Sequence, residues 1–294
     1  MSLAYDPADP ETCRRPYPVL ARLRAEDPVH WSPALKAWVV TRYDDVRHVL
    51  AGDELSPDRL TPFYASMPSA TRSTLAEAMR YLNLWVVFRD PPAHTRLRRL
   101  MNQAFAHRSI QARRPDIEAI VDRLIAGMKG EARVDLVASF TMPLPALVIM
   151  RLLGVPSTML LDVKRWSDDM MLFIGSARGT ADKYERARNG AMAMATLFRS
   201  LIAERRTSPQ DDILSELIAA RDGGDSLTED ELVATAMLFL FAGHETTTNL
   251  LGNAVVALMA NRRELERLGS DPGIVGSAVE EFLRFDGPSN AMGR

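Results

Sequence analysis

The sequence predicts a mainly α-helical protein with a small β-sheet. Apolar residues recur every three or four positions along most of the 294 residues, which is the spacing of one face of an α-helix. Near the start of the chain, the strand-like segments 29–31 and 38–41 flank the turn-like residues 32–36 and predict one short hairpin. Together these patterns indicate a single strand pair followed by a long helical body.

The helices are predicted in order from the same periodicity and from their boundary residues. Gly154, Pro156 and Ser157 supply a helix end, a helix breaker and an N-cap. Ser226 with Glu229 fits a capping box. The predicted helices cover residues 16–26, 43–51, 92–106, 109–128, 139–153, 157–174, 181–206, 211–222, 227–259, 261–268 and 272–285.

The length of 294 residues allows one large domain or two small ones, and we expect a single globular domain over residues 1–294, with residues 1–15 as a flexible N-terminal arm. The hydrophobic content of 47% is enough for a sizeable buried core. The 36 Lys and Arg residues against 38 Asp and Glu residues leave a formal net charge of -2, which gives no global attraction to nucleic acid or to an anionic membrane. We therefore expect neither as a partner.

The N-terminal composition and the cysteine content predict a cytoplasmic protein. Residues 1–7 contain no basic segment followed by an apolar core, so neither a signal peptide nor a membrane anchor is expected. The longest apolar run, residues 233–243, has about half of the roughly 20 residues that a membrane-spanning helix needs. The single cysteine, Cys13, excludes an intramolecular disulfide and indicates a reducing compartment.

Residues 52–70 form the longest predicted loop. Loops of this length inside a compact domain often bind a ligand, so Leu60, Phe63, Tyr64 and Met67 are candidates for contact with one. The alternative is that these four side chains pack onto the core, and the sequence leaves both open.

The sharpest motif is the segment LFAGHETTTN at residues 240–249. Glycine and threonine lower helix propensity, so a helix that passes through this segment is weakened at one turn. Thr246 has the spacing to bond the carbonyl of Ala242, and Gly243 allows a ligand to approach the backbone closely. Glu245 is a candidate proton donor. The structural alternative is a buried helix with threonine back-bonds and a solvated Glu245.

This segment resembles the Ala-Gly-x-acid-Thr-Thr signature of the long central helix of cytochromes P450, matched by Ala242, Gly243, Glu245, Thr246 and Thr247. The resemblance implies that Ala242 and Gly243 form a groove that holds dioxygen over a haem. It also implies that Glu245 and Thr246 are catalytic, because they manage the protons used to cleave the O–O bond. The predicted helix 227–259 would then be the oxygen-activation helix.

A second motif, DPPAHTRLRRLMNQAF at residues 90–105, places His94 and Arg98 four residues apart on one face of a helix that begins after two prolines. Two cationic donors at this spacing suit a carboxylate, although most such pairs simply lie on a surface. The segment resembles the third helix of the P450 family, in which the equivalent His and Arg bind the haem propionates. By the same resemblance, Trp85 and Val86 lie at positions that touch the haem edge.

A third motif, EEFLRFDGP at residues 280–288, contains Glu281 and Arg284 one helical turn apart. Such a pair is worth only a few tenths of a kcal/mol when exposed, whereas a buried pair acts as a clamp. The motif resembles the Glu-x-x-Arg pair of the P450 family, which implies a structural role at the end of helix 272–285. Arg294 falls where the family places another arginine on a haem propionate.

The pattern breaks at the iron ligand. Members of the P450 family hold the haem iron with a cysteine thiolate in a glycine-rich loop, and no such loop occurs in these 294 residues. Cys13 lies far upstream without flanking glycines, so we expect a free surface thiol and no metal ligand. Three explanations stay open: a shortened product, a gene that ends early, or a P450-like fold kept for a role without haem. Motifs that are intact as far as Arg294 favour truncation.

The resemblance implies a C-terminally truncated cytochrome P450 fold and a haem b-dependent monooxygenase. The expected reaction is hydroxylation or epoxidation of an apolar small molecule, with O2 and with electrons from NAD(P)H delivered by a ferredoxin or flavoprotein. Leu238, Phe241 and Ala242 are expected to line the distal substrate pocket. We expect this form to be inactive because the thiolate is missing. The rival function is a haem-free protein that binds another protein or a hydrophobic ligand.

Two further groups of residues are weaker candidates. The methionine-rich stretch MMLF at residues 170–173 and the loop 52–70 are candidates for the substrate side, although methionines also fill cores. Arg96, Arg99 and Arg108 are candidates for docking an acidic electron donor. An ordinary solvated helix face is the alternative for these arginines, and both interpretations stay open.

Overall fold

The computed structural model describes residues 3–104, 111–175 and 180–294. The strands are β1 (Val29–Ser32) and β2 (Ala37–Val40). The first helices are α1 (Pro10–Arg14), α2 (Pro16–Glu26), α3 (Tyr43–Ala51), α4 (Leu60–Ala65), α5 (Ser69–Leu82), α6 (Ala93–Ala104), α7 (Arg114–Met128), α8 (Pro143–Leu152) and α9 (Leu160–Ile174). The later helices are α10 (Lys183–Thr207), α11 (Ile213–Ala219), α12 (Glu229–Ala260), α13 (Arg262–Ser270) and α14 (Val275–Phe285).

The predicted fold class, mainly α with a small β-sheet, is confirmed. Residue contacts group the chain into two compact units, one of residues up to Pro57 together with Arg294, and one of residues Asp58–Gly293. The expectation of one domain over residues 1–294 stays a prediction. The helix ends predicted at residues 106 and 109 lie outside the described residues. Within the described ranges, no helix combines the length and the apolar character that crossing a membrane requires.

The smaller unit contains the hairpin that the sequence predicted. Strands β1 and β2 pair antiparallel, with Val29 opposite Val40. Ser32 is fully buried, and its hydroxyl donates a hydrogen bond to the carbonyl oxygen of Tyr5 at 2.7 Å. Helix α1 and this bond are the local structure described within residues 1–15, and the flexible arm expected there stays a prediction.

Helix α12 runs through the hydrophobic core of the larger unit. Most side chains between Leu232 and Phe241 are buried, as expected for a helix segment that is apolar on all sides. Helices α5, α6, α8, α9, α10 and α11 supply other buried side chains of this core. Beyond Phe241, most residues of α12 are partly or fully exposed, with His244 and Ala254 buried, and this second half carries the polar motif.

Helix α5 is absent from the sequence-based prediction, and α4 lies inside the predicted loop 52–70. The first half of α5 is rich in serine and threonine, which lower helix propensity and conceal the helix. Leu75, Met79 and Leu82 nevertheless recur at helical spacing and are buried against the core. Burial of this apolar face therefore outweighs the low intrinsic propensity.

The four apolar side chains considered as ligand contacts pack within the protein. Leu60 and Met67 are buried in the core. Phe63 stacks on Phe173 with ring centroids 6.0 Å apart. The hydroxyl of Tyr64 donates to a backbone carbonyl of α5 at 2.9 Å. Packing, the alternative left open by the sequence, therefore describes this segment.

Helix α12 begins with a capping box two residues later than predicted. The hydroxyl of Thr228 accepts from the amide of Glu231 at 3.3 Å, and the carboxylate of Glu231 accepts from the amide of Thr228 at 2.8 Å. The prediction that Ser226 and Glu229 form the box is wrong, because Thr228 is the extended residue that directly precedes the helix.

A buried ion pair joins α10 to α11. Nε of Arg205 donates to Oδ2 of Asp212 at 2.6 Å, and these side chains are 8% and 3% exposed. Oδ1 of Asp212 also caps α11 by accepting from the amide of Ser215 at 2.8 Å. Arg205 also contacts the exposed carboxylate of Glu204 at 2.7 Å, so removal of Asp212 leaves its buried guanidinium with no buried counterion.

We predict that Asp212→Asn lowers the free energy of unfolding by about 3–5 kcal/mol, because Arg205 loses its buried counterion. Asparagine is itself a good N-cap, so this variant isolates the effect of charge. Urea unfolding followed by circular dichroism measures the change. Arg206→Gln is the matched control, since Arg206 pairs with Glu229 on the surface and its loss should cost at most about 1 kcal/mol. Equal effects of the two variants would contradict the prediction.

Candidate functional site

Helices α6, α8 and α12 line an open cavity of about 320 Å³. The cavity is lined by Arg98, Met101, Asn102, Ile149, Phe239, Ala242 and Gly243. It brings the cationic helix of the second motif against the weakened turn of the first motif. Two of the three motifs found in the sequence therefore meet at one place in the larger unit.

His94 and Arg98 lie four residues apart on one face of α6, as the sequence predicted. Helix α6 begins directly after the two prolines of its motif. Arg98 is exposed at the cavity and has no ion-pair partner among the residues that the structure describes, while His94 is half-buried one turn earlier. An unpaired guanidinium and an imidazole at this spacing form a donor set suited to carboxylate groups.

Trp85 and Val86 are buried in the core. The indole ring of Trp85 is nearly parallel to Phe88 at a centroid distance of 6.1 Å, and it contacts Phe241 of α12 at 5.2 Å. The Nε1–H of Trp85 is buried without a hydrogen-bond partner in the described parts of the chain. Because a buried indole N–H normally finds an acceptor, this group is a candidate donor to a ligand.

Gly243 is required by the contact between α12 and α8. A Cβ atom at this position would lie 2.8 Å from Cγ1 of Ile149 and 3.1 Å from two further carbons of the same side chain. The sequence suggested that the glycine admits a ligand to the backbone. In the structure its Cβ direction points at Ile149, so the close approach is between two helices, although Gly243 also lines the cavity.

Thr246 bonds back to its own helix, as the spacing predicted. Its hydroxyl donates to the carbonyl oxygen of Ala242 at 3.1 Å. Ala242 and Thr246 lie one turn apart on an exposed face of α12, and the helix continues without a break through this turn. The threonine oxygen keeps a lone pair with which it can accept a hydrogen bond from a ligand.

Glu245 lies beside two basic side chains. Its Oε1 is 3.2 Å from Nζ of Lys164 on α9 and 3.5 Å from Nε2 of His244. His244 is fully buried, and its Nδ1 donates to the carbonyl oxygen of Leu240 at 2.7 Å. A separation of 3.5 Å is long for a hydrogen bond, so the distances give the nearer ammonium of Lys164 the stronger hold on the carboxylate.

The pKa of Glu245 is lowered to about 2. The nearby His244 ring and the attraction to Lys164 outweigh burial, which acts in the opposite direction. The pKa of Lys164 is raised, because its interactions with Asp168 and Glu245 outweigh the effect of burial. At neutral pH the pair is therefore fully charged. The role of Glu245 as a proton donor stays a prediction.

Arg96 and Arg99 are engaged within the chain. The guanidinium of Arg96 contacts Asp225 at 2.5 Å and Glu231 at 2.6 Å. Arg99 forms an ion pair with Asp222 at 3.0 Å. These contacts favour a structural role for both arginines over the docking of an acidic electron donor. The third candidate, Arg108, lies outside the described residues.

Glu281 and Arg284 form the predicted pair near the end of α14. The two nitrogen–oxygen distances are both 2.7 Å, and the side chains are 53% and 70% exposed. The pKa of Glu281 is lowered by its hydrogen bond with Arg284. In this exposed setting the pair contributes little to stability.

Arg294 and Cys13 belong to the smaller unit. Arg294 was expected at a propionate, but its guanidinium donates to backbone carbonyl oxygens after the end of α3, at 3.2 Å from Leu55 and 3.5 Å from Gly52. These donors are therefore occupied. Cys13 is exposed, and its thiol donates to the carbonyl oxygen of Pro7 at 2.9 Å.

Of the three residues predicted to line the substrate pocket, Ala242 lines the cavity. Leu238 and Phe241 are buried in the core instead, because they lie on faces of α12 that pack against other parts of the larger unit. In the stretch 170–173 the first and last residues are also core residues. At least Met170 and Phe173 of this methionine-rich stretch therefore pack in the core.

Sequence reasoning missed five residues of the site, which are Met101, Asn102, Ile149, Lys164 and Phe239. The first two follow Arg98 by three and four positions, so helical periodicity was the available signal. Ile149 and Lys164 come from helices that are distant along the chain. No local pattern marks such residues.

Comparison with known proteins gives a consistent result. A family model described as cytochrome P450 matches residues 36–270 of the chain. A vitamin D(3) 25-hydroxylase of Pseudonocardia autotrophica is 39% identical over 279 residues, which cover 94% of this chain and 65% of that protein. Cytochrome P450 107B1 of Saccharopolyspora erythraea is 37% identical over 295 residues, with coverages of 97% and 69%. The chain spans about two thirds of the length of these relatives.

Solved structures agree with the sequence comparisons. The crystal structure of CalO2 superposes with a TM-score of 0.85 at 30% identity, covering 97% of this chain and 70% of that one. The cytochrome P450 PksS of Bacillus subtilis 168 gives a TM-score of 0.82 at 32% identity, with coverages of 96% and 69%. The similarity therefore extends over nearly all of this chain.

We predict that Gly243→Ala lowers the free energy of unfolding by about 1–3 kcal/mol, because the added methyl group collides with Ile149. Gly252→Ala is the matched control on the same helix, since its Cβ position faces open space and alanine should stabilise the helix by up to about 1 kcal/mol. Adding Ile149→Val to Gly243→Ala should recover part of the loss. Urea unfolding measures all three. If Gly243→Ala is as stable as the control, the close helix contact is not needed.

We predict that the carboxyl ¹³C resonance of Glu245, assigned with Glu245→Gln, does not titrate between about pH 7 and pH 4. Lys164→Met and, separately, His244→Phe should each move the pKa toward the ordinary value of 4.5, whereas the exposed control Lys129→Met should not. Because the folded-state pKa is the lower one, the contribution of Glu245 to stability is complete above its ordinary pKa and is lost as the pH falls toward 2. Titration near 4.5 in the unchanged protein would refute the pairing.

Proposed function

Because the chain belongs to the cytochrome P450 family, we propose that it forms the oxygen-activating side of a haem-dependent monooxygenase. The reaction is hydroxylation or epoxidation of an apolar small molecule with O2 and with electrons from a redox partner. The observation that carries the proposal is the cavity that joins Arg98 of α6 to Ala242 and Gly243 of α12. It brings the helix that carries His94 and Arg98 against the motif turn of α12.

The residues of the site fit haem b, whose propionates are carboxylates. Arg98, at the cavity, supplies a cationic donor, and His94 supplies a ring nitrogen one turn earlier on the same helix. Trp85, which does not line the cavity, adds a buried Nε1–H without a partner in the described residues. Ala242 and Gly243 present no bulky side chain to the cavity, which suits a flat ring system. We assign these residues to hold the group. When bound, haem supplies the iron chemistry that activates O2.

Thr246 and Glu245 are assigned to the handling of protons. The hydroxyl of Thr246 already donates to Ala242, so its oxygen is available to accept a hydrogen bond and pass on a proton. Glu245, Lys164 and Asp168 form a series of contacting charged groups whose side chains are 25%, 29% and 49% exposed. We assign this series of groups to the delivery of protons from solvent to the turn that carries Thr246.

The substrate class and the electron donor belong to the same proposal. One relative is named vitamin D(3) 25-hydroxylase, and one similar structure is titled P450BioI in complex with hexadec-9Z-enoic acid ligated acyl carrier protein. The molecules that these two names mention, vitamin D(3) and hexadec-9Z-enoic acid, are largely apolar, which supports an apolar substrate here. The electron donor is a ferredoxin or a flavoprotein. Its docking surface is not assigned to Arg96 and Arg99, because both are paired within the chain.

The iron ligand is the part of the reaction that these 294 residues do not supply. Their single cysteine, Cys13, is exposed and donates its thiol proton to a backbone carbonyl within the smaller unit. Thiolate ligation is what directs haem iron toward O–O cleavage in this family. We therefore propose that this form binds the cofactor through α6 and α12 but is inactive by itself.

We predict that haemin added to the 294-residue chain quenches tryptophan fluorescence with an affinity that depends on Arg98. Arg98→Gln should weaken binding about tenfold, because a charge-assisted contact to a propionate is lost. Haemin dimethyl ester, which has no free carboxylates, should bind the unchanged chain and Arg98→Gln equally.

Arg99→Gln is the matched control for this titration, since Arg99 lies on the same helix and is paired with Asp222. It should bind haemin like the unchanged chain. If Arg98→Gln leaves haemin binding unchanged, α6 does not hold the propionates, and the absence of any binding would favour the haem-free alternative.

A further inference from the structure

A second cavity, of about 290 Å³, lies between α7, α8 and the turn that precedes α9. Its floor is apolar. Ile120 of α7, Leu147 and Met150 of α8, and Val155 of the turn line it, and each is less than one tenth exposed. The volume is at the lower end of the range of ligand-binding pockets. Such a floor suits a short apolar chain or ring.

The rim of this cavity carries three charged groups. Arg151 is already paired with Asp116, at 3.0 Å between Nε and Oδ2. Arg123 is exposed and has no ion-pair or hydrogen-bond partner among the residues that the structure describes. Two guanidinium groups against one carboxylate leave one positive charge over the apolar floor. Ser157 adds a hydroxyl at the same rim.

The second cavity is separate from the proposed haem site. The two share no lining residue. Helix α8 forms a wall of both, with Ile149 at the haem-site cavity and with Leu147, Met150 and Arg151 at the second cavity. Because these residues lie on different faces of one helix, a ligand in either cavity contacts its own set of side chains.

We propose that the second cavity binds a small amphipathic anion, a monocarboxylate with a medium-length alkyl chain. The chain lies on the floor formed by Ile120, Leu147 and Met150, where burial of apolar surface stabilises it. The carboxylate pairs with Arg123, whose planar guanidinium matches the geometry of two carboxylate oxygens. An alkyl cation is disfavoured, because it would bring a positive charge next to an unpaired arginine.

Two methionines report the cavities separately in the 294-residue chain. Met150 lines the second cavity, and Met101 lines the haem-site cavity. In protein labelled with ¹³C in the methionine methyl groups, Met150→Leu and Met101→Leu assign the two resonances. Titration with decanoate should shift the Met150 resonance to saturation. Decyltrimethylammonium, with the same chain length and the opposite charge, should bind about tenfold more weakly or not at all.

Three variants test the assignment of the residues. Arg123→Gln should weaken decanoate binding at Met150 about tenfold, because the counterion of the carboxylate is removed. Ala119→Trp replaces an exposed residue that lines the cavity and should abolish the Met150 response by filling the space. Arg133→Gln, a change at an exposed arginine that does not line the cavity, should have no effect.

Each possible result either supports or overturns the proposal. A saturable Met150 shift that is lost in Ala119→Trp and weakened in Arg123→Gln supports the proposal. The proposal is overturned if Met150 does not respond, if the alkyl cation binds as well as decanoate, or if Arg123→Gln binds like Arg133→Gln. A decanoate response at Met101 alone also overturns it, because the ligand would then occupy only the haem-site cavity. Circular dichroism confirms that each variant is folded.

Discussion

The ion cluster around Arg96 is the interaction on which the arrangement of the site depends. Its guanidinium contacts Asp225 and Glu231 and also donates to the carbonyl oxygen of Ser226 at 2.9 Å. Hydrogen bonding to these acids, first to Asp225, raises the pKa of Arg96. Because Glu231 also closes the capping box of α12, one side chain of α6 is bound to the residues that fix where α12 begins. The position of Arg98, two residues further along α6, follows from this contact.

Helix α12 combines two halves with different requirements. The apolar first half is buried, and this burial anchors the helix so strongly that the weak helix formers of the motif turn are tolerated in the second half. At that turn, Gly243 lets α8 approach and Glu245 is held as an anion by Lys164. The same turn is therefore both a packing contact and a charged site, and its unusual composition has two physical causes.

Helix α8 lines both cavities. Ile149 packs on Gly243 and lines the haem-site cavity, whereas Met150, the next residue, lines the cavity on the other face. Helix α8 therefore separates the two cavities.

The sequence by itself determined the hairpin, most helices and the candidate donors on α6 and α12, because these depend on spacing within one element. It also placed the bond from Thr246 to Ala242, which is a local helical contact. Only the tertiary structure decided that Lys164 faces Glu245, that Ile149 demands a glycine, and that α5 is a helix despite its serines and threonines. These outcomes depend on residues brought together from distant parts of the chain, where packing and charge outweigh local preference.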